Sequence, residues 1–269
     1  MRAALWVVAL TLVAQPGPSL AQNQMYGAPA PRSTDAATMR DAALKREIRE
    51  RFSRGIAAES RHDHAAAIAE FEAVLQRNPP EPQNSTAHYD LALAAAESGD
   101  LDRAAAELRA AIARDPGFLA AYANLIAVEI RRADLSAARA AADRFVALAP
   151  ESARGLYSRG LVALGSGDLT TARSDFARLL SNNPAYAPAH YDLGIVELRA
   201  GRLESAEREL SAALAAAPEY ARARFALGIV FLRQGRRDEA RVAFERVTQE
   251  ASDPGLRNLA GAARDTLLR

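Results

Sequence analysis

The repeat unit of this chain is clearest at residues 190–218, which read HYDLGIVELRAGRLESAERELSAALAAAP. Apolar residues recur at three- and four-residue spacing on both sides of Gly201, which is the pattern of two amphipathic helices. Gly201 favours the left-handed conformation that ends a helix, and Pro218 cannot continue one. We therefore predict an antiparallel helix pair, with its first helix at about 187–200 and its second at about 203–216.

The same pattern recurs along most of the chain with a period of 34 residues. An alanine column on the second helices consists of Ala67, Ala104, Ala138, Ala172, Ala206 and Ala240. A closing proline column consists of Pro79, Pro116, Pro150, Pro184, Pro218 and Pro254. A turn column lies five residues before each alanine and consists of His62, Gly99, Ala133, Gly167, Gly201 and Gly235. The first spacing of each column is 37 residues, and Pro254 comes two residues later than the period requires. The six matched units predict six stacked helix pairs that share a continuous core.

Small residues on the first helices are expected where the two helices of a pair cross. This small column consists of Gly55, Ala92, Ile126, Gly160, Gly194 and Gly228. The third unit departs from it, because Ile126 is large while Ala142 and Phe145 exchange the usual large and small positions of the second helix. We interpret this as a volume-conserving exchange that keeps the core filled.

Composition supports an all-α fold. About a quarter of the residues are alanine, the strongest intrinsic helix former, and only 6% are aromatic. The chain contains no cysteine, which excludes disulfides, thiol nucleophiles, cysteine-ligated metal centres and a lipid attached to an N-terminal cysteine.

The columns resemble the tetratricopeptide repeat family, which has a small residue in each helix, an aromatic residue between them and a closing proline. The resemblance covers about residues 48–254 and implies a right-handed α-solenoid of six repeats that start near 48, 85, 119, 153, 187 and 221. Residues 34–47 are predicted to extend the first helix, which can run unbroken from Ala36 to about Ser60. Residues 255–269 are predicted to form a C-terminal capping helix.

The N-terminus has the pattern of a secretory signal. Arg2 is followed by an apolar run of about a dozen residues and by a small-x-small end at Ala21, so we predict cleavage after Ala21 and export to a bacterial periplasm. An uncleaved membrane anchor is the alternative, although the run is shorter than a membrane span needs. Residues 22–33 are polar and rich in proline, as in a disordered linker. Loss of residues 1–21 leaves a formally neutral chain, which has no field to hold nucleic acid.

The family resemblance implies that two columns of the first helices line a concave groove. The aromatic column consists of Phe52, Tyr89, Ala123, Tyr157, Tyr191 and Phe225. The aliphatic column lies four residues further on and consists of Ile56, Leu93, Ala127, Leu161, Ile195 and Ile229. A peptide-binding groove is one interpretation of these columns, and core packing between successive first helices is the other.

Candidate catalytic and metal sites are weak. His62, Asp63 and His64 form the one cluster of metal-ligating side chains, but it falls in a turn and lacks a third strong ligand. The chain has no phosphate-binding glycine-rich loop, nucleophile elbow or zinc-protease motif. We therefore expect no cofactor, no metal and no enzymatic activity.

The sequence favours a periplasmic scaffold that binds a protein or peptide partner of the cell envelope through its groove. The alternative is a module that binds peptidoglycan or another glycan by stacking its tyrosines on sugar rings. Neither interpretation gives the partner or the oligomeric state.

Overall fold

The protein, described by a computed structural model over residues 36–267, contains thirteen α-helices in that range. The predicted signal segment 1–21 and linker 22–33 lie outside the described residues. No helix of residues 36–267 combines the length and the apolar character that a membrane crossing requires. In chain order the helices are α1 (Ala36–Glu59), α2 (His64–Leu75), α3 (Gln83–Glu97), α4 (Leu101–Arg114), α5 (Leu119–Arg131), α6 (Leu135–Leu148), α7 (Ala153–Ser166), α8 (Leu169–Asn182), α9 (Ala187–Arg199), α10 (Leu203–Ala216), α11 (Ala221–Arg233), α12 (Arg237–Glu250) and α13 (Pro254–Leu267).

The helices form two compact units that divide between Ala149 and Pro150. Unit 1 contains the pairs α1/α2, α3/α4 and α5/α6, and unit 2 contains α7/α8, α9/α10, α11/α12 and the final helix α13. Within each unit every helix packs on the next one along the chain. This confirms the predicted all-α class and its tetratricopeptide-like helix pairs.

Each first helix is followed by a tight turn that contains one left-handed residue. Gly201 has a φ of +76°, as predicted for the residue that ends α9. Ala133 and His62 hold the same conformation, with φ of +60° and +58°, although a Cβ makes it unfavourable by about 1–2 kcal/mol. In four pairs the next residue is an aspartate whose carboxylate accepts a hydrogen bond from the backbone of the second helix and caps it: Asp63, Asp100, Asp134 and Asp168.

The small column of the first helices lies against a large apolar residue of the second helix. A Cβ added at Gly160 would lie 2.6 Å from Phe176 Cε1, and one added at Gly194 would lie 2.7 Å from Leu210 Cγ. These distances are far below ordinary van der Waals contact, so the glycines allow the two helices of a pair to approach closely. The predicted role of this column is confirmed.

The third pair reverses these sizes. Ile126 on α5 and Ala142 on α6 occupy the positions that Gly160 and Phe176 hold in the fourth pair, and both are buried. Phe145, one turn after Ala142, is buried as well. Because the large side chain comes from the other helix, the same core volume is filled by a different residue, as the sequence indicates.

The last helix, α13, covers the end of unit 2. Leu256 and Ala260 of α13 are buried in one cluster with Phe244 and Val247 of α12. The helix therefore shields from solvent an apolar surface that a further repeat would otherwise cover.

Candidate partner-binding surface

The two predicted columns lie along the first helices of the repeats. In unit 2, α9 contacts both α7 and α11, so the three first helices lie side by side. Residues four apart share one face of a helix, and the two columns of unit 2 therefore belong to one surface. We call the surface formed by the aromatic and aliphatic columns the first-helix face, and we describe it separately in each unit.

The aromatic column is largely part of the packing inside each repeat. Phe52, Tyr89, Ala123 and Tyr157 are buried, whereas Tyr191 and Phe225 are half-buried. The Tyr157 ring lies 5.9 Å from the ring of Phe176 on the second helix of its own pair, as measured between centroids. Part of this column thus belongs to the core, and its role in binding a partner stays a prediction.

The aliphatic column is more accessible to solvent than the aromatic column. All six of its members are half-buried, namely Ile56, Leu93, Ala127, Leu161, Ile195 and Ile229. In unit 2, Ile195 and Ile229 pack against the buried cluster that contains Leu198 and Leu210. Ile195 and Ile229 therefore pack against the core and keep part of their surface exposed to solvent.

Sequence reasoning missed a third aromatic column, which stands at the N-cap of the first helices. Phe118, Tyr186 and Tyr220 precede α5, α9 and α11, two residues after a closing proline. Each ring contacts the aromatic column of the preceding repeat, with centroid distances of 4.9 Å for Tyr89–Phe118, 5.6 Å for Tyr157–Tyr186 and 5.1 Å for Tyr191–Tyr220. The same 34-residue alignment that gave the proline column contains this signal.

Hydrogen bonds from the aromatic column also join consecutive repeats. In unit 2 the Tyr157 hydroxyl donates to Asp192 Oδ2 at 2.7 Å. In unit 1 Asn124 Nδ2 donates to the Tyr89 hydroxyl, also at 2.7 Å. Both pairs are 35 residues apart and both polar partners are buried. The two bonds occupy equivalent places in the repeat, but the carboxylate of unit 2 is replaced by an amide in unit 1.

The Asp192 carboxylate accepts a hydrogen bond from Tyr157, and its charge also acts on the phenols of three further tyrosines. We call Asp192 and these residues the Asp192 cluster: Tyr157, Tyr186, Tyr191 and Tyr220. Burial raises the pKa of Asp192 to about 7, and the Tyr157 hydrogen bond and the charge of Arg222 lower it by less. Burial, and after it the charge of Asp192, raises the pKa of each of the four phenols, that of Tyr191 to about 12. Asp192 is therefore the electrostatic centre of this cluster.

Asp90 holds the same position in unit 1 but lacks such a donor. Its side chain is buried, and Oδ2 has no hydrogen-bond partner among residues 36–267. Burial, and to a smaller extent the negative charge of Glu59, raises the pKa of Asp90 to about 7. The aromatic column places Phe52 in the preceding repeat, where Tyr157 precedes Asp192. Asp90 is therefore a buried carboxyl for which the first repeat provides no tyrosine at the position that Tyr157 has relative to Asp192.

Three of the four histidines, His64, His88 and His190, bond to glutamates within their own helix pairs. Asp63 caps α2 by accepting a hydrogen bond from Ala66 N at 3.1 Å, and His64 lies 3.2 Å from Glu59 Oε1. Within the described part of the chain no group of three metal-ligating side chains is found. His88 and His190 each bond to a glutamate of the second helix in the same pair, at 2.6 Å and 2.8 Å.

Two units of paired helices, each presenting a face of first helices, define an α-helical repeat protein. The tetratricopeptide repeat model matches residues 52–117, 128–189 and 191–255, and a second model of that repeat matches 163–216. These matches span more than half of the chain, which therefore belongs to the tetratricopeptide repeat family. No curated protein sequence matches it.

Solved structures of the same family have the same fold. PilF of Pseudomonas aeruginosa superposes with a TM-score of 0.64 at 16% identity, over 82% of this chain and 99% of that one. A tetratricopeptide repeat protein from Parabacteroides merdae gives 0.61 at 15%, over 83% and 100%. YrrB, described as a tetratricopeptide repeat protein with an unusual peptide-binding site, gives 0.57 at 18%, over 71% and 97%. At these identities the similarity establishes the fold alone.

Proposed function

We propose that this protein is a non-catalytic scaffold whose first-helix face holds a protein or peptide partner. Proteins of this family are interaction scaffolds. The observation that carries the proposal is the aliphatic column, which is half-buried in all six pairs and runs beside aromatic rings. Partly exposed apolar residues that recur along one face of stacked helices offer a partner an apolar contact surface within each unit. YrrB, which shares the fold, carries a peptide-binding site by its own description.

We further propose that the protein acts outside the cytoplasm. The support is the sequence pattern of residues 1–21, with a basic start, an apolar run and a small-residue cleavage site at Ala21. Mass spectrometry of the N-terminus in the periplasmic fraction is expected to start at Gln22. A chain that retains Met1 in the cytoplasm would overturn this part of the proposal.

The decisive experiment changes the aliphatic column of unit 2. Leu161 and Ile195 are half-buried, so the double change to glutamine adds polar groups to the surface without creating a large core cavity. Tyr157 is a poorer choice because it is buried and bonded to Asp192. Partners are first captured from an envelope extract with the wild-type protein and identified, and the purified partner is then titrated against the variant.

We expect binding to weaken more than tenfold in the Leu161/Ile195 variant while the helical circular dichroism is unchanged. The matched control is the change of Val242 and Leu259 to glutamine, since these residues are exposed on α12 and α13, outside the columns. Equal affinity of both variants would overturn the proposal. If the wild type and the control sediment with purified peptidoglycan and the Leu161/Ile195 variant does not, the ligand of the first-helix face is a glycan and not a peptide.

A further inference from the structure

The Asp192 cluster has a carboxyl where the equivalent bonded pair of unit 1, Tyr89 and Asn124, has a neutral amide. In both units an aromatic residue of one repeat bonds to the polar residue 35 positions later at 2.7 Å. In both units an aromatic ring at the next N-cap packs against that same residue, Phe118 on Tyr89 and Tyr186 on Tyr157. Since the neutral amide of Asn124 completes this arrangement in unit 1, the packing does not require a carboxylate at position 192.

The Asp192 carboxyl is buried, and its Oδ2 accepts one hydrogen bond, from the Tyr157 hydroxyl at 2.7 Å. Burial is the largest influence on its pKa, the hydrogen bond from Tyr157 is the next, and the charge of Arg222 is the smallest. A buried carboxylate of this kind gains stabilisation from any further cation that approaches it.

The surroundings suit a cation. Tyr186, Tyr191 and Tyr220 are half-buried, so each of these residues keeps some exposure to solvent in unit 2. Tyrosine rings attract ammonium and guanidinium groups through their electron-rich faces, most strongly where water is excluded. Three partly exposed tyrosines and one buried carboxyl in the same cluster combine both features of a cation-binding site.

We propose that the Asp192 cluster recognises a cationic side chain, arginine or lysine, of the partner segment that lies along the first helices of unit 2. This inference rests on the proposed function and names the charge of its partner. The aliphatic residues Ile195 and Ile229 would contact the apolar part of the same segment, and Asp192 would select for the basic residue within it.

The test is a parallel selection from a library of random dodecapeptides on three full-length proteins. These are the wild type, the Asp192→Asn variant, which copies the amide of Asn124, and the Asp238→Asn control, which removes an exposed acidic charge from α12. Thermal unfolding and circular dichroism verify that the variants fold. The best wild-type peptide is then resynthesised with citrulline in place of its arginine, or acetyl-lysine in place of its lysine, which keeps the shape and removes the charge.

We expect arginine or lysine at one enriched position with the wild type and the Asp238→Asn control, and no such enrichment with Asp192→Asn. Loss of the charge from the peptide should weaken binding to the wild type at least tenfold and leave binding to Asp192→Asn unchanged. Selected peptides without basic enrichment would overturn this inference and leave the scaffold proposal standing. Failure to select any peptide would overturn both the inference and a peptide-binding role.

Discussion

The Tyr157 hydroxyl donates a hydrogen bond of 2.7 Å to Asp192 Oδ2 and so joins two consecutive repeats of unit 2. The bond favours the ionised form of a carboxyl that burial keeps partly protonated near neutral pH. Tyr157 thus has two roles, because its ring packs on Phe176 within its own repeat while its hydroxyl serves the next repeat.

Removal of this hydroxyl in Tyr157→Phe is expected to destabilise the protein more at high pH than at low pH. At pH 8.5 Asp192 is ionised, and a hydrogen bond to a charged group contributes about 1.5–3 kcal/mol, against about 1 kcal/mol for a neutral one at pH 5.5. Urea unfolding at both pH values measures the difference. Tyr122→Phe, which removes a hydroxyl bonded to the Pro116 carbonyl, serves as the control without a carboxylate. An equal cost of Tyr157→Phe at both pH values would contradict the role of the charge.

Asp90 should make stability fall as the pH rises. Its pKa in the folded protein is about 7, well above the value of about 4 in an unfolded chain. Between these values the folded state retains a proton that the unfolded state releases, so the stabilisation is present below about pH 4 and is lost by about pH 7. Three pH units correspond to at most about 4 kcal/mol. Asp90→Asn should flatten the dependence of the unfolding free energy on pH; a variant as steep as the wild type would refute the assignment.

Phe52→Tyr is expected to supply the donor that Asp90 lacks. The register of the repeats places the new hydroxyl where Tyr157 stands relative to Asp192, and the unfolding free energy at pH 8 should rise by about 1–3 kcal/mol. The matched control is Phe225→Tyr, because the corresponding position of the following helix is Ala260, which offers no carboxylate. Chemical denaturation that ranks Phe52→Tyr no higher than Phe225→Tyr would count against this register.

Ala133 is expected to be a site of backbone strain that glycine relieves. Its φ of +60° is disfavoured by its Cβ, so Ala133→Gly should stabilise the protein by about 1 kcal/mol. The reverse change Gly235→Ala should destabilise it by a similar amount, since a Cβ there meets nothing within 4 Å and only the φ of +80° opposes it. Thermal unfolding measures both effects, and a loss of stability in Ala133→Gly would exclude strain at this turn.

The exchanged sizes of Ile126 and Ala142 should show up as energetic coupling. Ile126→Ala leaves a cavity and is expected to cost about 2–5 kcal/mol, and Ala142→Leu overfills the core and is expected to cost about 1–3 kcal/mol. The double variant has the residues of the second pair, Ala92 and Leu108, and should be less destabilised than the sum of the single changes. Simple additivity in a double-mutant cycle would show that the two side chains do not share one space.

The helix pairs could be predicted from the sequence because their determinants are local and recur every 34 residues. Gly201 and Pro218 mark the end of one helix and of its pair. The observed bounds of α10 agree with the prediction, and those of α9 differ from it by one residue at the C-terminal end. The exchange at Ile126 and Ala142 was also visible, since it breaks a column that is otherwise regular. The size of a side chain and the backbone conformation that a residue favours can both be inferred from a single column of aligned repeats.

The polar bonds between repeats could not be predicted in the same way. Tyr157 and Asp192 stand in different columns and bond across 35 residues, so neither column alone indicates the pair. Glu129 illustrates the same difficulty, because it is 0% exposed and pairs with Arg109 and Arg132. Glutamate recurs at this position in the fifth repeat, as Glu197, whereas the other repeats have alanine or phenylalanine there. In a sequence, a charged residue on a helix is interpreted as solvent-exposed unless its partner is known.

The bonds that join neighbouring repeats give the array a fixed order. If the fifth repeat were excised as one 34-residue module, Tyr157 would come to stand before Ala226 instead of Asp192, and a buried phenol would lose its acceptor. Duplication of the repeat that contains Tyr157, without the repeat that contains Asp192, would have the same result. The repeats share one backbone plan but are not interchangeable modules, so any lengthening or shortening of this chain in evolution or by engineering has to move such residues as pairs.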